Sequence, residues 1–180
     1  MLRMLFIMFY LMLVAAFSGS LLASEAKTIE WTDLIPDSEQ QLMANLPEVQ
    51  HDTNQSIFDR DYTGDDPAAM QWQEILKSAK VRTELNNSKV RIPGFIVPLE
   101  FDDKQNITHF FLVPYFGACI HVPPPPPNQI IYVSGARNLK ADMIYSPFWI
   151  SGTLITETMS HDLGQSAYSI KADSVEEYSY

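Results

Sequence analysis

"SKVRIPGFIVPLEF", Ser88 to Phe101, is the stretch on which the fold turns. Apolar side chains stand at Val90, Ile92, Phe95, Val97 and Leu99, an alternation that marks a strand with one extra step between Ile92 and Phe95. Pro93-Gly94 occupies that step and predicts a β-bulge there. A second stretch, "FWISGTLITET" (Phe148 to Thr158), repeats the form: an apolar pair, a glycine, then alternation. A mid-strand glycine lets a strand coil sharply, as closure of a small barrel requires, although the same pattern could serve a small sandwich.

Working outward, "ITHFFLVPYF" (107–116), "QIIYVSGAR" (129–137), "YSPFWISGTLITET" (145–158) and "SAYSIKADSVEEY" (166–178) bring the strand candidates to at least five. Upstream the period is different. Asp37 or Ser38 caps a short helical stretch that Pro47 stops, and residues 50–66 read as a polar loop. "DDPAAMQWQEILKSAK" opens with Asp66 as N-cap and Pro67 at the first helical position, predicting a helix over 67–80 with Met70, Ile75, Leu76 and Ala79 on one face. Helices followed by strands give an α+β class: a helical N-terminal segment (27–80), then a small, partly closed, OB-like β-barrel domain (81–180). That barrel name carries no functional implication.

Residues 1–26 have the order of a secretory signal peptide: Arg3, an apolar run from Met4 to about Phe17, then small residues. Cleavage is expected after Ala26, with Ala23 as the alternative, leaving an exported chain. A lipoprotein is excluded because no cysteine lies at that site. The net charge is −10, and no basic run interrupts it, which argues against nucleic acid as a partner. A cationic ligand or protein surface is easier to accommodate. The chain has no P-loop, dinucleotide fingerprint, His-Glu-x-x-His or Gly-x-Ser-x-Gly motif.

The chemistry concentrates in "VPYFGACIHVPPPPPNQ", Val113 to Gln129. Cys119 is the single cysteine, so no internal disulfide forms, although export leads to an oxidising compartment. On an extended chain Cys119 and His121 point to one face and suit zinc, or copper(I) in a softer site. Further ligands must come from elsewhere: His109 and His161 first, with Glu100, Asp102 and Asp103 behind them. Pro123 to Pro127 form a polyproline II rod that braces the pair or blocks edge pairing. The competing readings are a buried, inert thiol, a thiol-redox protein, and a scaffold module that docks a membrane partner through its polyproline segment. A Cys–His catalytic pair has no local support, so an enzyme is the lesser alternative.

"VRIPGFIVPLE", "HFFLVPYFGACIHVPPPPPNQIIYV", "WISGTLITET" and "AYSIKADSVEEY" together resemble the bacterial domain-of-unknown-function family numbered 3299, over roughly residues 88–178. The resemblance implies a small periplasmic protein of Gram-negative bacteria. It also implies, by association with zinc-responsive ABC transporters, a part in metal supply. Carried onto this chain, it falls on Gly117, Ala118, Cys119, His121, Pro123, Pro124, Pro125, Pro126, Pro127, Asn128 and Gln129.

Overall fold

The computed structural model describes residues 25–44, 67–117 and 125–179. Strand β2 (Ser88–Phe101) organises the fold. Its first half pairs antiparallel with β5 (Phe148–Ile155), and its second half, from Phe95, pairs antiparallel with β3 (Asn106–Val113). Next to β3 lies β4 (Ile131–Lys140), which pairs in parallel with β8 (Tyr168–Glu177); β8 returns antiparallel to β5. The strands thus close in the order β2-β3-β4-β8-β5-β2, the Greek-key order of an OB-like barrel. Two-residue β1 (Lys27–Thr28) lies parallel to β2 at Val90 and Arg91. A hairpin of β6 (Met159–His161) and β7 (Gly164–Ser166) interrupts the path from β5 to β8. With helices α1 (Asp37–Ala44) and α2 (Pro67–Leu76) ahead of the barrel, the α+β expectation holds.

Closure is made at the two glycines. β2 changes partner between Gly94 and Phe95, and a Cβ at Gly94 would stand 2.8 Å from both Leu112 Cγ and the Val113 carbonyl oxygen. At Gly152 it would stand 2.3 Å from the Lys171 carbonyl oxygen. The expected bulge at Pro93-Gly94 is absent: register runs unbroken from Ser88 to Gly94 against β5, and the irregularities lie beyond Pro98. The extra step in the apolar pattern has another cause. Val90, Ile92 and Ile96 face the barrel interior, whereas Phe95, Val97 and Leu99 face outward into a second apolar cluster. A strand covered on both faces reads as a near-continuous apolar run.

The interior is filled by Ile92, Ile107, Phe110, Leu112, Ile131, Ile150, Leu154, Tyr168 and their neighbours. The N-terminal segment is stitched into it. Ile29 and Leu34, flanking or ending the 3-10 turn Trp31–Leu34, belong to the same core, and the Trp31 indole donates to the Pro93 carbonyl at 2.7 Å. The buried Tyr168 hydroxyl donates to the Leu34 carbonyl at 2.8 Å and accepts from the Arg82 amide at 2.7 Å. Burial holds that phenol above the usual tyrosine range. A raised acid pKa gives stability that is complete below the unfolded value, about 10, and lost as pH rises through the folded one. Alkaline unfolding followed by circular dichroism is therefore expected to lose part of its pH dependence in Tyr168→Phe, which should cost about 1 kcal/mol at neutral pH.

Helix α2 is shorter than the predicted 67–80 and its face differs. Ile75 is buried, but Met70 and Leu76 are exposed. Beyond the helix end Ser78 turns inward and donates its hydroxyl to Glu39. Among the described residues, no helix is long and apolar enough to cross a membrane.

Candidate functional site

Ala118, Cys119, His121, Pro123 and Pro124 lie outside the described residues. Gly117, in a left-handed conformation (φ 79°), closes the turn after β3, and just before it Phe116 packs edge-on against Phe95 with ring centroids 5.8 Å apart. On the other side Pro125 is buried, Pro126 has polyproline II dihedrals (φ −58°, ψ 153°), and Pro127 opens the 3-10 turn Pro127–Gln129 that leads into β4.

Asn128 and Gln129 are internal fasteners. Asn128 is 2% exposed; its amide nitrogen donates to Glu39 Oε2 at 2.9 Å and to the Lys80 carbonyl at 3.2 Å. Its backbone N–H donates to the Ser78 carbonyl at 3.1 Å. Glu39, 4% exposed, also accepts from the Ser78 hydroxyl at 2.5 Å and lies 3.4 Å from the Lys80 ammonium. Gln129 donates to the Trp31 carbonyl at 3.0 Å, and the Ala167 amide donates to the Pro127 carbonyl at 2.8 Å. A docking strip needs exposed side chains, so Pro125 and Asn128 are excluded from any such use. Sequence reasoning missed Glu39 and Ser78 altogether, because each stands in a polar stretch that reads as solvated surface.

His109 and His161 come to one face. Outward-facing His109, Phe111 and Val113 run along β3, with Tyr132 of β4 beside them. His109 stacks on Tyr132 (5.8 Å, 24°), Phe111 meets Tyr132 edge-on at 6.3 Å, and His161 meets Phe111 edge-on at 6.2 Å. The β6–β7 hairpin lies over Phe111, where a Cβ on Gly164 would stand 3.8 Å from the ring. In OB-like barrels this is the ligand-binding region: the outer face of the second and third strands and the loop joining the fourth to the fifth.

The two histidines are prepared differently. His109 Nδ1 lies 3.0 Å from Glu100 Oε2, an ion-pair distance, and shares a hydrogen bond with Thr108 Oγ1 at 3.2 Å whose direction follows the ring's tautomer. His161 Nδ1 instead accepts the Leu163 amide N–H at 3.2 Å, which puts the neutral ring's proton on Nε2. The Tyr132 phenol is pushed up, first by burial and then by the Glu100 charge. Asp102 is occupied elsewhere: it accepts from the Asn106 side chain (2.9 Å) and from the backbone amides of Asn106 and Lys104 (2.8 Å each), closing the β2–β3 turn. Those bonds, the Asn106 side chain first, hold its carboxyl below the usual range. Among the described residues, no three His, Cys, Asp or Glu side chains gather in a set able to hold a metal ion.

No curated protein matches the sequence. A crystal structure of a DUF3299 family protein from Pseudomonas aeruginosa PAO1 superposes with a TM-score of 0.66 at 36% identity, covering 87% of this chain and 99% of that one. A structure described as that of an aspartyl-tRNA synthetase from Leishmania major Friedlin reaches a TM-score of only 0.30 at 14% identity, over 53% of this chain and 18% of that one, and nothing follows from it. The model of the family described as "protein of unknown function (DUF3299)" matches residues 31–177, from the Trp31 turn to the end of β8. The chain belongs to the DUF3299 family.

Proposed function

We propose that the protein is an exported, periplasmic, non-catalytic binding protein for a transition metal, zinc foremost and copper(I) as the alternative, serving metal transport or metallation at an inner-membrane complex such as an ABC transporter. The observation that carries this reading is the Glu100–His109 pair at 3.0 Å. A histidine whose Nδ1 faces a carboxylate leaves Nε2 pointing away from it, and a carboxylate beside the ring is the partner that metal-ligating histidines commonly have. His161 Nδ1 accepts a backbone N–H instead of facing a carboxylate, and His161 is not one of the ligands in this reading. Cys119 and His121 supply the thiolate and a second imidazole. The Asn128 fastener fixes the chain downstream of them, which lowers the ordering cost of binding. Val113 is four steps along the strand from His109, roughly 13 Å, so a shared ion requires Cys119 and His121 to come back toward Phe111.

The test is bound metal, measured by mass spectrometry on chain purified under reducing, metal-replete conditions. Near-stoichiometric zinc or copper is expected in the wild type. Cys119→Ser and His121→Ala should each lower the affinity by at least about 100-fold, His109→Ala by at least about 10-fold, and His161→Ala should have no effect. Absence of metal from the wild type, or full retention in Cys119→Ser, ends the reading. X-ray absorption at the metal edge counts its sulfur and nitrogen neighbours. A first shell without sulfur has the same consequence.

A further inference from the structure

A cleft of about 550 Å³ opens on the opposite side of β4 from β3, where the parallel pairing of β4 with β8 ends at Ser134 and Lys171. Beyond that point β4 leaves its neighbours: its register against β3 jumps from Ser134 opposite His109 to Leu139 opposite Ile107. Gly135, at φ 82°, makes the turn, and a Cβ there would be in contact with the Ala172 carbonyl oxygen (3.6 Å) and the Lys171 side-chain stem (3.9 Å). Its missing side chain keeps the floor of the cleft low. The walls carry Arg137 and Lys171, with Asp173 and Ser174 between the latter and Val175. Asp173 is engaged by Lys89 at 2.5 Å, and Ser174 donates to Glu176. Among the described residues, no ion pair involves either Arg137 or Lys171. Two cations without an ion pair therefore share one cleft in a chain whose net charge is −10.

We infer that this cleft binds a soluble, multiply charged oxyanion of the phosphate class. A guanidinium with a paired set of N–H donors and a mobile ammonium recognise such a group through charge-assisted hydrogen bonds. The surrounding acidic surface favours a small soluble anion over an anionic membrane, which the whole molecule repels. This site is separate from the His109 face and does not depend on metal binding.

The experiment is calorimetric titration of the purified full chain with inorganic phosphate and with pyrophosphate. Saturable binding is expected, tighter for pyrophosphate and weakening as salt is raised. Arg137→Gln and Lys171→Gln should each weaken it by about tenfold with unchanged melting temperature, and Lys104→Gln, on the β2–β3 turn, should leave it intact. Both cleft residues are exposed, so these variants fold. No saturable binding at millimolar anion overturns the inference, as does equal binding by the cleft variants. Binding to phosphatidylglycerol vesicles without binding to the soluble anions overturns it too, because the source would then be a lipid headgroup.

Discussion

Gly152→Ala is expected to abolish the cooperative unfolding transition or to leave the chain insoluble. β5 is hydrogen-bonded on both sides, to β2 and to β8, and Gly152 sits where its register against β8 shifts. A methyl at that position would stand 2.3 Å from the Lys171 carbonyl oxygen, 2.7 Å from Ile170 Cγ2 and 3.0 Å from the Lys171 carbonyl carbon. Two of those atoms are backbone, so no rotamer change relieves the clash; β8 itself must move outward. That movement pulls on the β4–β8 ladder as well, because Ile170 and Lys171 pair with Val133 and Ser134. Overpacking that side chains can absorb costs about 1–3 kcal/mol, and displacing a barrel strand costs more. Against a domain stability of about 5–15 kcal/mol, a loss beyond about 4 kcal/mol is severe. Urea unfolding monitored by tryptophan fluorescence measures it. Gly117→Ala is the comparison: it meets nothing within 4 Å and bears only the strain of its φ of 79°, about 1 kcal/mol. Equal midpoints for Gly152→Ala and the wild type would mean that β5 and β8 do not approach as described.

Gly152 also shows what a sequence can and cannot carry. The repeated glycine form in β2 and β5 points to sharply coiled strands, because absence of a side chain is written in the residue itself, but it fits a partly closed barrel or a small sandwich alike, and the structure decides for the closed barrel. The five barrel strands were legible for a similar reason: β-branched and aromatic residues at period two are local facts. The bulge at Pro93-Gly94 was misread, since a strand with a second cluster on its outer face breaks the rule that apolar means inward. Face assignment on α2 failed in the same way, because Ser78 rather than Leu76 turns to the interior. At the candidate site, His109 and His161 are legible as residue types, but what each Nδ1 faces, Glu100 in one and the Leu163 amide in the other, is decided by strand register and by a hairpin turn. Glu39 was invisible because its burial is decided by Asn128, distant in sequence, and not by its own neighbours.

That dependence makes Asn128 the second site of large expected effect. The Glu39 carboxylate is nearly out of water and is satisfied by the Ser78 hydroxyl, the Asn128 amide and the Lys80 ammonium. Removing one partner of a buried charge leaves its desolvation uncompensated, which costs about 3–5 kcal/mol for an ion pair and less for a single hydrogen bond to a charge. The Lys80 side chain is 62% exposed, so the ion pair is partly screened and the fastener's strength rests on the neutral donors. Asn128→Ala is therefore expected to lose about 2–4 kcal/mol. Asn128→Asp, which sets a second carboxylate against Glu39, should lose more. Glu39→Ala should resemble Asn128→Ala, and the double variant should fall short of the sum by about 1–3 kcal/mol, because the second change removes a group already orphaned. Additive losses would show that Glu39 and Asn128 stabilise the fold separately and that the network is not a unit. The same cycle separates fold from function. Cys119→Ser, on the proposed reading, removes metal without lowering the metal-free chain's stability. Asn128→Ala lowers that stability and loosens the anchor of the Cys119–His121 segment, so metal affinity falls while the sulfur ligand is retained.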